Sequence, residues 1–375
     1  MLIRGGQIFS EDQGFTPGDL GISQGQICPP HSAEAGEILD AAGLYVIPGM
    51  IDIHCHGAKG SDFTDASPEA FASIARYELS QGVTSFLGTT LSLPCAKLEY
   101  LFTQTGKWMR EPQPELAALR GIYMEGPYLN LKYVGSHNPD HLAPPDLDAF
   151  LQLIHGAKTA IRVLSLAPEL PGAMRLIQAL SHQIRITLGH SDCDYKTAAA
   201  AFAAGASMVT HIFNAMAPLH HREPALIGAA FDYAEFVELI SDGYHLHPSV
   251  VRAIFKLFGP ERVVLISDST RATGMPDGSY DMGGLPTQLQ NGAPRLADGR
   301  LAGSAASLLK CAQIALSFGI PLEDIVRAVT INPARAAGLD ACFGSLEVGK
   351  RADILLINQR FELQTVILGG QVVQA

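Results

Sequence analysis

The chain has 375 residues, 47% hydrophobic and 17% charged, enough apolar material for a sizeable core, which excludes a wholly disordered protein. Lys and Arg total 26 against 37 Asp and Glu, a net charge of −11. That disfavours coating nucleic acid or an anionic membrane, and any anionic ligand must be held by a local pocket. Six scattered cysteines with no C-x-x-C, and an amino terminus (MLIRGGQIFSEDQG) without a sustained apolar run, predict a reduced, cytoplasmic chain with no membrane span.

In chain order, residues 1 to 47 place short β runs such as MLIR and QIFS between turn signals. Residues 344 to 375 do likewise with DILLIN, TVILGG and QVVQA. Neither flank is apolar enough to fold alone. Together they predict a small discontinuous β-sandwich domain whose halves bracket a catalytic domain at 48 to 343. From Pro48 to Pro333 the chain alternates β-rich runs with helical stretches eight times, the runs ending near His56, Thr90, Glu125, Pro168, His190, His211, Asp242 and Asp268. Helices are expected over Pro68 to Gln81 with Ser67 as N-cap, Asp194 to Gly205, Pro248 to Phe258 and Ser304 to Phe318. Eight β/α units in succession predict an α/β fold, a closed TIM-like (β/α)8 barrel.

Such a barrel gathers its active site at the carboxyl ends of the strands. There the sequence places His54 and His56, Glu125, His190, His211 and Asp268. His54 and His56 are two apart, so on a strand they share a face opposite Cys55 and can chelate one divalent ion. An isolated H-x-H is more often a pair of hydrogen-bonded histidines; its place at the end of the first barrel strand, after Pro48-Gly49-Met50-Ile51-Asp52, favours the metal. Glu125 follows the apolar run Gly121-Ile122-Tyr123-Met124, where a buried carboxylate needs a cation, either an arginine or a metal ion. Glu and two His with open positions is a hydrolytic set suited to Zn2+, with Fe2+ or Mn2+ as alternatives. Asp268 fits either a proton acceptor facing an activated water or an N-cap.

The strings PGMIDIHCHG (48–57), MEGPYLN (124–130), GSHNP (135–139), LGHS (188–191), THIFNAM (210–216), HHREP (220–224), SDGYH (241–245), SDSTRATGMPDGSY (267–280), LAGS (301–304), INPARAAGL (331–339) and GSLEVGKRADI (344–354) occur in order along nearly the whole chain. In this the chain resembles the amidohydrolase superfamily, and within it the deacetylases of N-acetylated hexosamine 6-phosphates. The resemblance implies that Glu125, His190 and His211 bind a catalytic metal and that Asp268 is general base and acid. It allows His54 and His56 to hold a second ion, so one or two per subunit. Ser136 and His137 would meet the sugar or its acetamide. Asn214, Ala215, Arg222 and His245 would form the sugar-phosphate pocket, lined by Leu301, Ala302 and Gly303. It further implies a homodimer whose partner subunit reaches that pocket, near His220-His221-Arg222, and a small-molecule substrate, N-acetylglucosamine 6-phosphate or its C4 epimer. Departures are Val134, where lysine is common, and Ala225, where glycine is common. No lysine ends the fourth strand (SLAPE), which tells against dihydroorotase-like and hydantoinase-like activities. A binding protein without turnover fits poorly with a full ligand set that also keeps Asp268.

Overall fold

A computed structural model describes residues 1–33, 36–155 and 160–374. Its centre is a parallel sheet of eight strands paired in chain order: β1 (Met50–Cys55), β2 (Val83–Thr89), β3 (Ala118–Glu125), β4 (Ile161–Leu166), β5 (Arg185–Leu188), β6 (Met208–Val209), β7 (Phe236–Ile240) and β8 (Val263–Ile266). The ring closes where Cys55 bridges Ser269 in parallel and the Asp268 N–H donates to His54 O at 3.0 Å. Ile51, Ile53, Leu87, Tyr123, Val163 and Ile266 fill the barrel interior. Met50, Phe86, Leu164 and Leu265 face outward and pack with the helices. Strands covered on both faces explain the apolar runs read in the sequence.

Helix α1 (Pro68–Ser80) shows how the covering layer is written locally. Ser67 Oγ accepts from Ala70 N–H at 3.1 Å, Pro68 occupies the first turn, and Phe71, Ile74, Ala75 and Leu79 are buried. That spacing lays one apolar stripe on the sheet. The stretch expected from Asp194 to Gly205 forms a helix at Tyr195–Ala203 capped by Asp194, and Pro248–Phe258 is helical as read. The last expected helix begins later, at Leu308, with Ser307 as its cap. Its first residues are taken by the barrel mouth instead: Ser304 N–H donates to Asp268 O at 2.7 Å, and Thr270 N–H to Ser304 O at 3.0 Å. An antiparallel three-stranded meander (Gly278–Met282, Leu285–Gln290, Ala293–Leu296) that the sequence reading did not anticipate separates β8 from that helix.

The terminal segments pair in one further eight-stranded sheet, in which Tyr45–Pro48 lies beside Leu2–Ser10 on one side and Ile354–Ile357 on the other. Alternation divides its side chains. Ile354 and Leu356 join Ile3, Leu20, Ile22 and Val46 in a small core of the sheet, while Leu355, Ile357 and Ile47 pack on the barrel. No described helix is long and apolar enough to cross a membrane.

Candidate active site

Register decides which way β1 aims its histidines. With Ile51 and Ile53 facing the interior, strict alternation would send His54 and His56 outward. The pairing of β1 with β2 is irregular between Asp52 and Cys55, and beyond it Cys55 packs outward. His54 and His56 thereby reach the other strand-end residues, as their spacing predicted. His190, His211 and Asp268 each adopt positive φ (47°, 25° and 49°), a conformation that residues with a Cβ seldom take and that occurs often at functional sites.

These side chains converge on Glu125. Its Oε1 lies 3.1 Å from His190 Nε2 and 3.0 Å from His211 Nε2, and the two imidazole nitrogens are 3.1 Å apart. Its Oε2 lies 3.3 Å from His56 Nε2 and 3.6 Å from His54 Nε2, and Asp268 Oδ1 is at the same 3.3 and 3.6 Å from those two rings. All six residues are buried.

The outer nitrogens fix what the inner ones present. His190 Nδ1–H donates to Tyr133 O at 2.8 Å, so its Nε2 turns a lone pair toward Glu125 and His211. His54 Nδ1–H donates to Glu238 Oε2 at 3.1 Å, leaving its Nε2 without a hydrogen-bond partner. Lone pairs of oxygen and nitrogen crowded to about 3 Å repel unless a proton or a metal ion stands among them. Donor atoms of a tetrahedral zinc ion are themselves roughly 3.3 Å apart, so the residues present fit a divalent metal. His54, His56 and Glu125 form one buried group with donor atoms within 4.8 Å of each other, and Glu125, His137 and His190 form another. His137 differs in kind. Its Nδ1 accepts from the Ser92 backbone N–H at 3.0 Å, which places the proton on Nε2, 3.1 Å from Glu125 Oε2. A ring so held is a donor rather than a ligand.

Titration follows the same geometry. Burial would raise the Asp268 carboxyl, but the hydrogen bond from His56 and the charges of His54, His56 and His211 hold it at about 2. Burial likewise opposes ionisation of Glu125, and the surrounding histidines, His54 first, outweigh it. Burial pushes the His137 ring down to about 4, keeping it neutral near pH 7. His56 moves up to about 9 because hydrogen bonds to Asp268 and Glu125 outweigh its burial. Without a metal, protons on the histidines offset the buried carboxylates.

A cavity of about 280 Å³ opens over this cluster, lined among others by Ser136, His137, Asn214, Ala215, His245, Leu301 and Gly303. Ala302 is buried beneath the lining. His245 is held at the cavity by Asp242, whose Oδ2 accepts from Nδ1 at 2.7 Å. Arg222 is not brought in. It is exposed and borders an adjoining depression with Lys132 and Tyr133, because its loop (220–224) runs outward ahead of the helix Ala225–Tyr233. Sequence reasoning missed Glu238, although a carboxylate inside the apolar run Phe236–Ile240 is the signal that singled out Glu125. It also missed Lys132 and Arg300 at the cavity wall, for which the sequence carries no signal.

The profile of the amidohydrolase family matches residues 45–373. This chain belongs to the amidohydrolase family. Members are metal-dependent hydrolases, and this amidohydrolase is a hydrolytic enzyme. It is similar to the N-acetylglucosamine-6-phosphate deacetylase of Vibrio furnissii, 35% identical over 88% of this chain and 82% of that protein. To the N-acetylgalactosamine-6-phosphate deacetylase of Escherichia coli O157:H7 it is also 35% identical, over 86% of both. Among solved structures it resembles a mutant N-acetyl-D-glucosamine-6-phosphate deacetylase of Mycobacterium smegmatis in complex with N-acetyl-D-glucosamine-6-phosphate. There the TM-score is 0.92 and the identity 30%, over 100% of this chain and 99% of that one.

Proposed function

We propose that this amidohydrolase hydrolyses the N-acetyl group of N-acetyl-D-glucosamine 6-phosphate to D-glucosamine 6-phosphate and acetate. The observation that carries the reading is the convergence of Glu125, His190 and His211 to 3.0–3.1 Å beside an ionised Asp268. The relatives and solved structures that act on this sugar support the substrate.

Glu125, His190 and His211 would hold the catalytic ion, with His54 and His56 able to help hold a second. When bound, a divalent ion, Zn2+ in this reading with Fe2+ or Mn2+ as alternatives, supplies Lewis-acid activation. The remaining chemistry belongs to the chain. Asp268 takes a proton from the attacking water and returns it to the departing amine nitrogen, so that the C–N bond can break. His137, neutral and with its proton fixed on Nε2 by Ser92, donates to the carbonyl oxygen as negative charge develops there. Ser136, Asn214, Ala215 and His245 line the space for the sugar phosphate, with Leu301 and Gly303 along one wall and Ala302 behind them.

The exposure of Arg222 supports its reaching a partner's cavity in a homodimer. The division into a terminal domain (1–47 and 344–375) and a catalytic domain (48–343), and a cytoplasmic location, complete the reading. A second reading, deacetylation of N-acetylgalactosamine 6-phosphate, is favoured by the equally identical relative that bears that name. Metal-loaded protein incubated with each 6-phosphorylated epimer and assayed for released amine separates them. The glucosamine epimer should be hydrolysed with the higher kcat/KM, and the reverse order would overturn the first reading.

A further inference from the structure

A phosphomonoester carries about −1.5 to −2 charges near neutral pH, and a chain of net charge −11 must meet it with local cations. Two flexible cations line the cavity that holds Glu125 and Asp268, Lys132 and Arg300. Lys132 Nζ donates to both carboxylate oxygens of Asp192 at 2.8 Å, which leaves it one N–H, and its side chain is 62% exposed. Arg300 is half-exposed and also paired with a carboxylate, Asp298, but keeps more donors free.

Arg300 is placed with more care. It follows the meander in a tight hairpin, where Leu296 N–H donates to Arg300 O and Gly299 N–H to Leu296 O, both at 2.9 Å. Gly299 takes φ 89° in this turn, and Arg295 and Leu301 bridge antiparallel across it. From that base the guanidinium spans the cavity mouth. Nε and Nη2 both lie 2.7 Å from Asp298 Oδ2, and Nη1 donates to Gly135 O. Gly135 adjoins Ser136 and His137, and a Cβ built on it would stand 2.9 Å from the His190 ring and 3.8 Å from Ala215 Cβ. The guanidinium is therefore fastened beside the catalytic loop, at the rim where Ala215 lines the cavity. Three of its five N–H groups are used by these contacts, and two remain. A planar fork with two free donors matches two oxygens of a phosphate, which an ammonium point charge does not.

We infer that Arg300 is a further residue that selects a phosphorylated over a neutral amino sugar, contacting the anionic group at the mouth of the cavity that His245 also lines. This rests on the function proposed above. A neutral N-acetyl amino sugar gains nothing from the guanidinium, so the residue acts on discrimination rather than on bond cleavage.

The test compares metal-loaded wild type, Arg300→Gln and Arg300→Lys on N-acetylglucosamine 6-phosphate and on unphosphorylated N-acetylglucosamine, with inorganic phosphate as a competing anion. Arg300→Gln should lower the ratio of the two kcat/KM values by about ten- to a hundredfold, mainly through KM for the phosphorylated sugar. Inhibition by phosphate should weaken by a similar factor, and Arg300→Lys should recover part of both. An unchanged ratio overturns the inference, whether both activities persist or both fall together as the Gly135 contact is lost. If wild type does not hydrolyse the phosphorylated sugar, the proposed function fails and thermal unfolding of the holoenzyme decides Arg300 separately. Protection by phosphate that disappears in Arg300→Gln upholds its anion-binding role, whereas equal protection in both proteins removes it.

Discussion

Glu238 lies fully buried in the barrel interior with its Oε2 3.1 Å from Nδ1 of His54. The same oxygen accepts from the His211 backbone N–H and from Tyr123 Oη, both at 3.3 Å. One carboxylate thus orients a ring on β1 and tethers the backbone of a second proposed ligand. Partners of this kind set the tautomer and basicity of a metal-binding imidazole. Replacing Glu238 by Gln keeps an acceptor and removes the charge. Metal affinity should fall about 10- to 100-fold, measured by competition with a chelator, while kcat at saturating metal changes less.

Asp268 is ionised over the whole neutral range, since its neighbours hold it at about 2. Asp268→Asn keeps the shape and loses the proton acceptor. Activity should drop by about two to four orders of magnitude with metal content, measured by atomic absorption, intact. Near-native turnover in this variant would remove Asp268 from proton transfer.

His137 presents Nε2–H because Ser92 N–H occupies its other nitrogen. His137→Ala should lower kcat by about 10²- to 10³-fold and leave bound metal per subunit unchanged. Loss of an equivalent of metal would instead make His137 a ligand. The two measurements on one preparation separate a donor from a coordinating ring.

In the metal-free protein His56 titrates at about 9 and His54 is raised well above its ordinary value by Glu125 and Glu238. The His56 ring is therefore protonated at pH 7.5 and His54 is drawn in the same direction, so a metal occupying them must displace protons. The sign follows: apparent affinity rises with pH through the neutral range, and binding acidifies a weakly buffered solution. Calorimetric titration with Zn2+ in buffers of different ionisation enthalpy counts the protons. A site that released none would place the ion away from His54 and His56.

The sequence by itself determined the alternation of strands and helices, and with it the barrel and the level at which its chemistry sits. A parallel sheet covered on both faces leaves apolar runs that stop at polar residues, so Glu125, His190, His211 and Asp268 were legible from where their strands end. His54 and His56 were legible as a pair because a strand repeats every two residues. The meander over residues 278–296 was not, since its short alternating strands carry no signal separating them from loops. Only the tertiary structure decided which groups touch. Tautomers depend on partners distant in the chain, Ser92 for His137 and Glu238 for His54, and the aim of His54 rests on an irregular register between two strands. Arg222 and Arg300 look alike in sequence. Their difference is set by where two loops run, one outward from the barrel and one folded back across the mouth of the cavity, and long-range packing fixes that path where local residue chemistry does not.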